Sequence, residues 1–138
     1  MTFLLDTNLL IALGWTTHEH HSKATRWLGG VTSFATCPLT QAGFIRISLN
    51  LALGYASGPA DVFRSLDSML TDPRHVFWPD DLSFAGSQLT RRRIQRHSEV
   101  TDHYLVALAR HHSGVVATFD APLARAFANE ASLVTFLG

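Results

Sequence analysis

The chain holds a single cysteine, Cys37, among its 138 residues, so no internal disulfide can form. A lone buried thiol fits a reducing cytosol. No apolar run approaches the roughly 20 residues that a membrane span needs. Nor does a basic, then apolar, then small-residue signal segment open the chain. The expectation is a cytoplasmic protein without membrane contact. Net charge is zero at pH 7, so the whole molecule is not an obvious polyanion binder. Also missing are a cysteine–histidine constellation of zinc spacing, a glycine-rich phosphate loop and a G-x-S-x-G elbow. What is present is ordinary for a folded protein: 46% hydrophobic and 16% charged residues argue against disorder. The length suits one domain over residues 1–138 with a real core.

The chain opens on Thr2–Leu13, eight of whose twelve residues are apolar. Its first part reads as a strand buried on both faces, and the run resuming at Leu9 is spaced like a helix. Asp6 interrupts the two, at the carboxyl end of a strand, where open α/β sheets place their ligand crevices. Taken alone, Asp6 or Asn8 could equally be a helix cap. A second helix is expected from Trp15 to the Gly29–Gly30 pair. His18 and His21 lie three apart within it, but a solvated polar helix start explains them better than a metal site. Thr32–Cys37 reads as a strand stopped by Pro38, which suits the first turn of a helix over Leu39–Leu53. Further helices are expected over Ala60–Leu70, around Phe84–Leu89, from a Thr101 cap through Arg110, and over Ala121–Ala128. Further strands are expected at His75–Trp78, Gly114–Asp120 and Leu133–Phe136. Strands alternating with helices give an α/β domain with a mainly parallel sheet.

Asp6 and Asp120 both follow apolar strands, and Asp102 opens the helix before the fourth strand. In a parallel sheet these loops converge on one edge. Three carboxylates gathered there repel one another unless a cation sits between them. Oxygen-only ligands favour a hard divalent ion, Mg²⁺ or Mn²⁺. Such an ion suits phosphoryl chemistry: one activates water, and a second, roughly 3.5–4 Å away, stabilises the leaving oxygen. The segment Arg91–His97 is the only dense basic run, holding four of the eleven lysines and arginines. Arg91, Arg92, Arg93 and Arg96 are either phosphate contacts or a solvated helix end.

The stretches Leu4–Asn8, Thr40–Arg46, Phe77–Asp81, Val100–Leu105 and Ala117–Asp120 together resemble a PIN domain. More closely, the chain is similar to the VapC ribonuclease toxins of bacterial VapBC toxin–antitoxin pairs, over essentially its whole length. That resemblance implies a three-layer α/β/α fold with a parallel sheet of about five strands. It implies Mg²⁺-dependent endoribonuclease activity, a VapB-type antitoxin whose tail blocks the site, and a homodimer. It makes Asp6, Asp102 and Asp120 the metal-binding acids, with Asn8, Thr118 and Thr40 as neighbouring polar residues that orient them. One position departs from the family: Gln41 stands where a glutamate is usual. It can offer a carbonyl oxygen but no charge, so a second ion should be held more weakly. Glu99, Glu19, Asp80 or Asp81 are candidates for the missing charge. His103 is expected to be an exposed helix residue rather than a phosphate contact.

The reading is an endoribonuclease toxin that hydrolyses RNA phosphodiester bonds, leaving a 3′-hydroxyl and a 5′-phosphate. Single-stranded targets ask for aromatic stacking, for which Trp15 and Trp78 are candidates, against the commoner use of such residues as core. The main alternative is a catalytically weak PIN-like module that binds RNA or its antitoxin. A phosphatase of the haloacid dehalogenase type also begins with an aspartate after its first strand. It needs an acid two residues on, where this chain has Asn8.

Overall fold

A computed structural model describes residues 1–85 and 91–138 of the chain. Five short strands form one sheet: β1 Phe3–Leu5, β2 Phe34–Thr36, β3 His75–Phe77, β4 Val115–Thr118 and β5 Val134–Phe136. Their order is β3-β2-β1-β4-β5, and every pairing is parallel. β1 pairs with both β2 and β4, Phe3 facing Phe34 on one side and Val115 on the other. The order reverses there, which is the switch point where open parallel sheets form a crevice.

Six α-helices cover the sheet: α1 Thr7–Gly14, α2 His21–Gly29, α3 Pro38–Ser48, α4 Pro59–Leu70, α5 Val100–His111 and α6 Ala121–Ala126. Side chains alternate across a strand, so Leu4 and Leu5 enter opposite cores. Leu5 packs with Leu9 of α1, Phe44 of α3 and Val62 of α4; Leu4 packs with Leu105 and Leu108 of α5 and Leu123 of α6. Every residue of β4 is buried, as a strand between two helical layers requires. The three-layer α/β/α architecture is the one expected.

Two glycines mark close approaches. A Cβ on Gly43 of α3 would lie 2.7 Å from Thr7 Oγ1 and 2.9 Å from its Cγ2, so α1 and α3 meet only because Gly43 has no side chain. A Cβ on Gly114 would lie 2.6 Å from the Thr2 carbonyl and 2.6 Å from the Trp78 ring. These contacts seat α1 and β4, the two elements next to the strand-end acids.

Several boundaries differ from the sequence reading. α2 begins at His21 rather than near Trp15, because the preceding residues form successive tight turns, His18 N to Trp15 O and His21 N to His18 O. α3 stops at Ser48, and a single 3-10 turn, Leu51–Leu53, precedes Gly54 in its left-handed conformation (φ 77°). Thr101 is not the cap of α5. The 3-10 turn His97–Glu99 runs straight into that helix and puts Thr101 inside it, with Asp102 still in the first turn. The helix expected around Phe84–Leu89 falls mainly on 86–90, outside the described residues; Phe84 and Ala85 form a turn. Among the described residues no helix is long and apolar enough to cross a membrane.

Candidate metal centre

Asp6 sits one residue beyond β1 and caps α1: its Oδ1 accepts the Thr7 amide at 2.8 Å. Helix capping and clustering with other acids, alternatives at the level of sequence, are both properties of this one residue. Its Oδ2 accepts the Thr118 hydroxyl at 2.7 Å, and the residue is 7% exposed. Burial raises the Asp6 carboxyl above the usual range, opposed by the Thr118 and Thr7 bonds, while the Asp120 charge raises it further.

Thr118, the fully buried last residue of β4, joins the two strand ends. While its hydroxyl donates to Asp6, the same oxygen accepts the Asp120 amide at 2.9 Å. Asn8 Oδ1 lies 3.5 Å from that hydroxyl, but a hydroxyl has one proton and the shorter Asp6 contact takes it. Asn8 Oδ1 instead receives the Phe119 amide at 3.3 Å. Asp120 caps α6, its Oδ1 accepting the Leu123 amide at 3.2 Å. The segment from Thr118 to Asp120 is therefore tied to the β1–α1 junction at two points, through Asp6 and Asn8.

Asp102 completes the group from the first turn of α5. Its carboxyl is pushed up to about 7, by burial first and then by the charges of Asp6, Asp120 and Glu99. Asp102, Asp120 and Glu99 line one cleft, and Asp6 is joined to the Asp120 loop through Thr118. Their donor set is oxygen-only and charge-dense, which fits a hard divalent cation and leaves the carboxylates in mutual repulsion without one. A cleft of about 330 Å³ opens beside them, lined by Arg96, Ser98, Glu99, Asp102, His103 and Asp120 among others.

Glu99 is the one of the four candidate acids whose charge reaches Asp102. Its carboxylate accepts the Gln95 amide and the Arg96 Nε, each at 3.0 Å, and is held below its ordinary range by those bonds. The others are placed elsewhere. Asp80 accepts the Leu39 amide and the Tyr104 hydroxyl, Glu19 lies beside His20 with its side chain 81% exposed, and Asp81 faces His111 and His112.

Gln41 stands in the first turns of α3 and donates its Nε2 to Thr36 Oγ1 at 3.0 Å. The same hydroxyl meets His75 Nε2 at 2.7 Å. That bond commits the amide nitrogen and leaves only the carbonyl oxygen to act as a ligand. Thr40 is fully buried and spends its hydroxyl on capping α3, accepting the Cys37 amide and donating to the Cys37 carbonyl, both at 3.1 Å. It orients the helix carrying Gln41.

His103 is buried, contrary to the exposed position expected. Its Nδ1 contacts the Glu99 carbonyl at 3.0 Å and its ring packs on Phe127, because α5 buries a continuous run from His103 to Ala109. Trp78 is core, 5% exposed, and Trp15 stacks between Phe44 and Tyr55 with its Nε1 bonded to Ser48. His18 and His21 are likewise engaged, His18 Nδ1 accepting the His20 amide and His21 Nδ1 meeting the Ala12 carbonyl at 2.8 Å. The sequence reading overlooked His20, whose ring stacks on Phe119, the residue between Thr118 and Asp120.

The four arginines separate. Arg93 bonds Glu130 at 2.6 Å and the Ala126 carbonyl, and covers the Phe127 ring. Arg96 pairs with Glu99 at the cleft, and Arg91 and Arg92 form an exposed 3-10 turn with Arg93.

Comparison with known proteins finds relatives in sequence and in fold. Residues 3–128 match the family model described as PIN domain. Ribonuclease VapC39 of Mycobacterium tuberculosis is 45% identical over 128 residues, covering 90% of this chain and 92% of that protein. Among solved structures, M. tuberculosis VapC20, described as a sarcin-ricin loop cleaving toxin, superposes with a TM-score of 0.63 at 16% identity, covering 90% of this chain and 94% of that one. VapBC2 from Rickettsia felis, bound to a DNA fragment from their promoter, does so with a TM-score of 0.59 at 12% identity, covering 99% and 98%.

Proposed function

The chain belongs to the PIN-domain family, and we propose on that footing that it is the toxin of a type II toxin–antitoxin pair, a divalent-metal-dependent endoribonuclease. The carrying observation is the acid cluster at the switch point, where Thr118 joins Asp6 to the Asp120 loop and Asp102 and Asp120 line one cleft. Asp6, Asp102 and Asp120 hold the ion, Mg²⁺ or Mn²⁺, and Gln41 assists through its carbonyl oxygen. When bound, the ion supplies a water of lowered pKa and neutralises charge developing on phosphate. Thr118 fixes the Asp6 carboxylate and the Asp120 backbone, so two ligands keep their relative position without substrate. Asn8 holds the loop between them through Phe119. In the reaction, water attacks phosphorus, the P–O3′ bond breaks, and the products carry a 3′-hydroxyl and a 5′-phosphate. Glu99 restores the negative charge that Gln41 lacks, and Arg96 brings a guanidinium to the cleft where phosphate enters.

The partners proposed are an RNA substrate and a VapB-type antitoxin. The antitoxin is supported by the VapC relatives and the VapBC2 pair; a homodimer of a single PIN domain over 1–138 in the cytoplasm completes the reading. The test is incubation of antitoxin-free protein with total bacterial RNA, with and without Mg²⁺ or Mn²⁺, beside Asp6→Asn. Calorimetric titration with Mn²⁺ runs in parallel. Fragments that need metal and vanish in Asp6→Asn support the enzyme. Intact RNA together with weak Mn²⁺ binding makes the chain a binding module, and recovery of both in Gln41→Glu would assign the loss to that side chain.

A further inference from the structure

The other end of α5 carries a second group of ligand-type side chains. His111 is the last residue of that helix and His112 follows it, while Asp81 comes from the loop after β3. Asp102 and His111 are nine residues apart on one helix, about 14 Å along its axis, so this group is separate from the acid cluster. His112 Nε2 lies 3.4 Å from Asp81 Oδ1, and His111 Nε2 lies 3.5 Å from Asp81 Oδ2. All three ligand atoms fall within 4.8 Å of one another.

We propose that Asp81, His111 and His112 form a second metal site, for a borderline transition ion of the Zn²⁺ class. Ligands about 2.0–2.1 Å from a tetrahedral ion stand about 3.4 Å apart; each histidine has close to that separation from one Asp81 oxygen, His112 from Oδ1 and His111 from Oδ2, so a small turn of the carboxylate would present one oxygen to both. The donor set of two imidazoles and a carboxylate is typical of such ions, and a hard oxygen-seeking ion would leave it for the acid cluster. An independent observation points to a missing ligand. The Nε2 of His112 is buried and, although Asp81 Oδ1 lies 3.4 Å away, it is aligned for a hydrogen bond neither with that oxygen nor with any other described group. A buried nitrogen without a partner costs free energy. The ring cannot turn away to relieve this, being stacked on Trp78 at 4.5 Å and 12°, and Trp78 is itself wedged against Gly114. Asp81 is placed by its amide bond to the Pro79 carbonyl. Three protein ligands leave a fourth position for water or a donor from another molecule.

Such an ion would pin the loop after β3 to the end of α5. The adjacent residue of that loop, Asp80, binds the Leu39 amide at the start of α3 and the Tyr104 hydroxyl in α5. Occupancy of the site therefore stiffens the support of Gln41 without touching the acids.

The test uses the full chain stripped by a chelator and titrated with Zn²⁺ alone, then with Co²⁺. Asp6→Asn, whose acid cluster is impaired, should bind one Zn²⁺ equivalent with a rise in Tm, and wild type should bind that equivalent besides any held by the acid cluster. His111→Gln should weaken that binding at least ~10-fold, and His112→Gln should do the same. His111 is a half-exposed residue, so its variant keeps the fold. Co²⁺ should give the strong visible bands of a four-coordinate site and quench Trp78, which touches His112. The proposal is overturned if wild type binds no Zn²⁺, if His111→Gln binds it as tightly as wild type, or if Asp6→Asn abolishes the binding.

Discussion

The two edges of the cleft are built on opposite terms. On one side, Asp6, Thr118 and Asp120 are held by hydrogen bonds in a largely buried setting, where the Asp6 and Thr118 side chains each serve two neighbours and the Asp120 side chain caps α6. On the other, the segment from Arg91 to Glu99 is two 3-10 turns of mainly exposed residues, in which Arg96 pairs locally with Glu99 and only Arg93 reaches farther, to Glu130. A rigid acid edge facing a compliant basic edge suits a reaction in which ligands must be preorganised while a polyanion of variable shape is admitted. Substitutions on the first edge should therefore alter chemistry and stability together, and those on the second, Arg93 with its Glu130 pair apart, should alter affinity alone.

The largest expected effect is on turnover. Asp6→Asn or Asp120→Asn should reduce metal-dependent RNA cleavage at least about 100-fold, measured as initial rates on a labelled RNA. Retained cleavage would move the ion away from these residues.

The next concerns the proton. The folded metal-free chain keeps the Asp102 carboxyl protonated up to about 7, whereas the unfolded chain releases that proton near 4. Between those values the folded state binds more protons, so stability falls as pH rises, and the loss is complete above about 7. Asp102→Asn should remove up to about 4 kcal/mol of that slope, and saturating Mg²⁺ should flatten it in wild type. His18 and His75, lowered by burial, act in the opposite sense and lose stability as pH falls through about 6.5. The difference between wild type and Asp102→Asn in EDTA, from pH 5 to 8, isolates the acid.

Thr118→Val keeps volume but removes the donor to Asp6 and the acceptor for the Asp120 amide. We expect a loss of about 1–3 kcal/mol in urea denaturation and a kcat decrease that outweighs any change in KM. Gly43→Ala should cost about 1–3 kcal/mol by forcing α3 off Thr7. Thr7→Ala in the same chain should return part of it, because the clash is with the Thr7 side chain.

How much of this was legible in sequence follows from how local each signal is. Asp6 and Asp120 announce themselves because an acid directly after a buried strand breaks an apolar run, and the parallel sheet then brings the loops together. The α/β alternation was readable for the same reason. Trp78 could not be sorted from an exposed stacking residue, since its burial depends on Gly114, thirty-six positions away. His103 looked exposed because a histidine beside an acid reads as polar surface, yet α5 is buried continuously from His103 to Ala109. Sequence could not choose among Glu99, Glu19, Asp80 and Asp81; the turn before α5 places Glu99 in the same cleft as Asp102. The Asp81–His111–His112 group has no spacing signature: two adjacent histidines meet an acid thirty residues earlier only because the loop after β3 folds back.

The smallest expected effect lies on the basic edge and decides whether the contrast holds. Arg91→Ala with Arg92→Ala removes two exposed side chains, so stability should change by less than about 0.5 kcal/mol. If these arginines meet phosphates, RNA affinity should fall at low salt, and the slope of log affinity against log salt should shrink by about 0.7 for each phosphate no longer neutralised. Arg93→Ala is the internal control. Its guanidinium is already bonded to Glu130 and laid over Phe127, so its loss should lower stability with little change in the salt slope. Equal salt slopes in wild type and the Arg91, Arg92 variant would mean that the basic run is a solvated turn. Phosphate would then be met by Arg96 at the cleft itself.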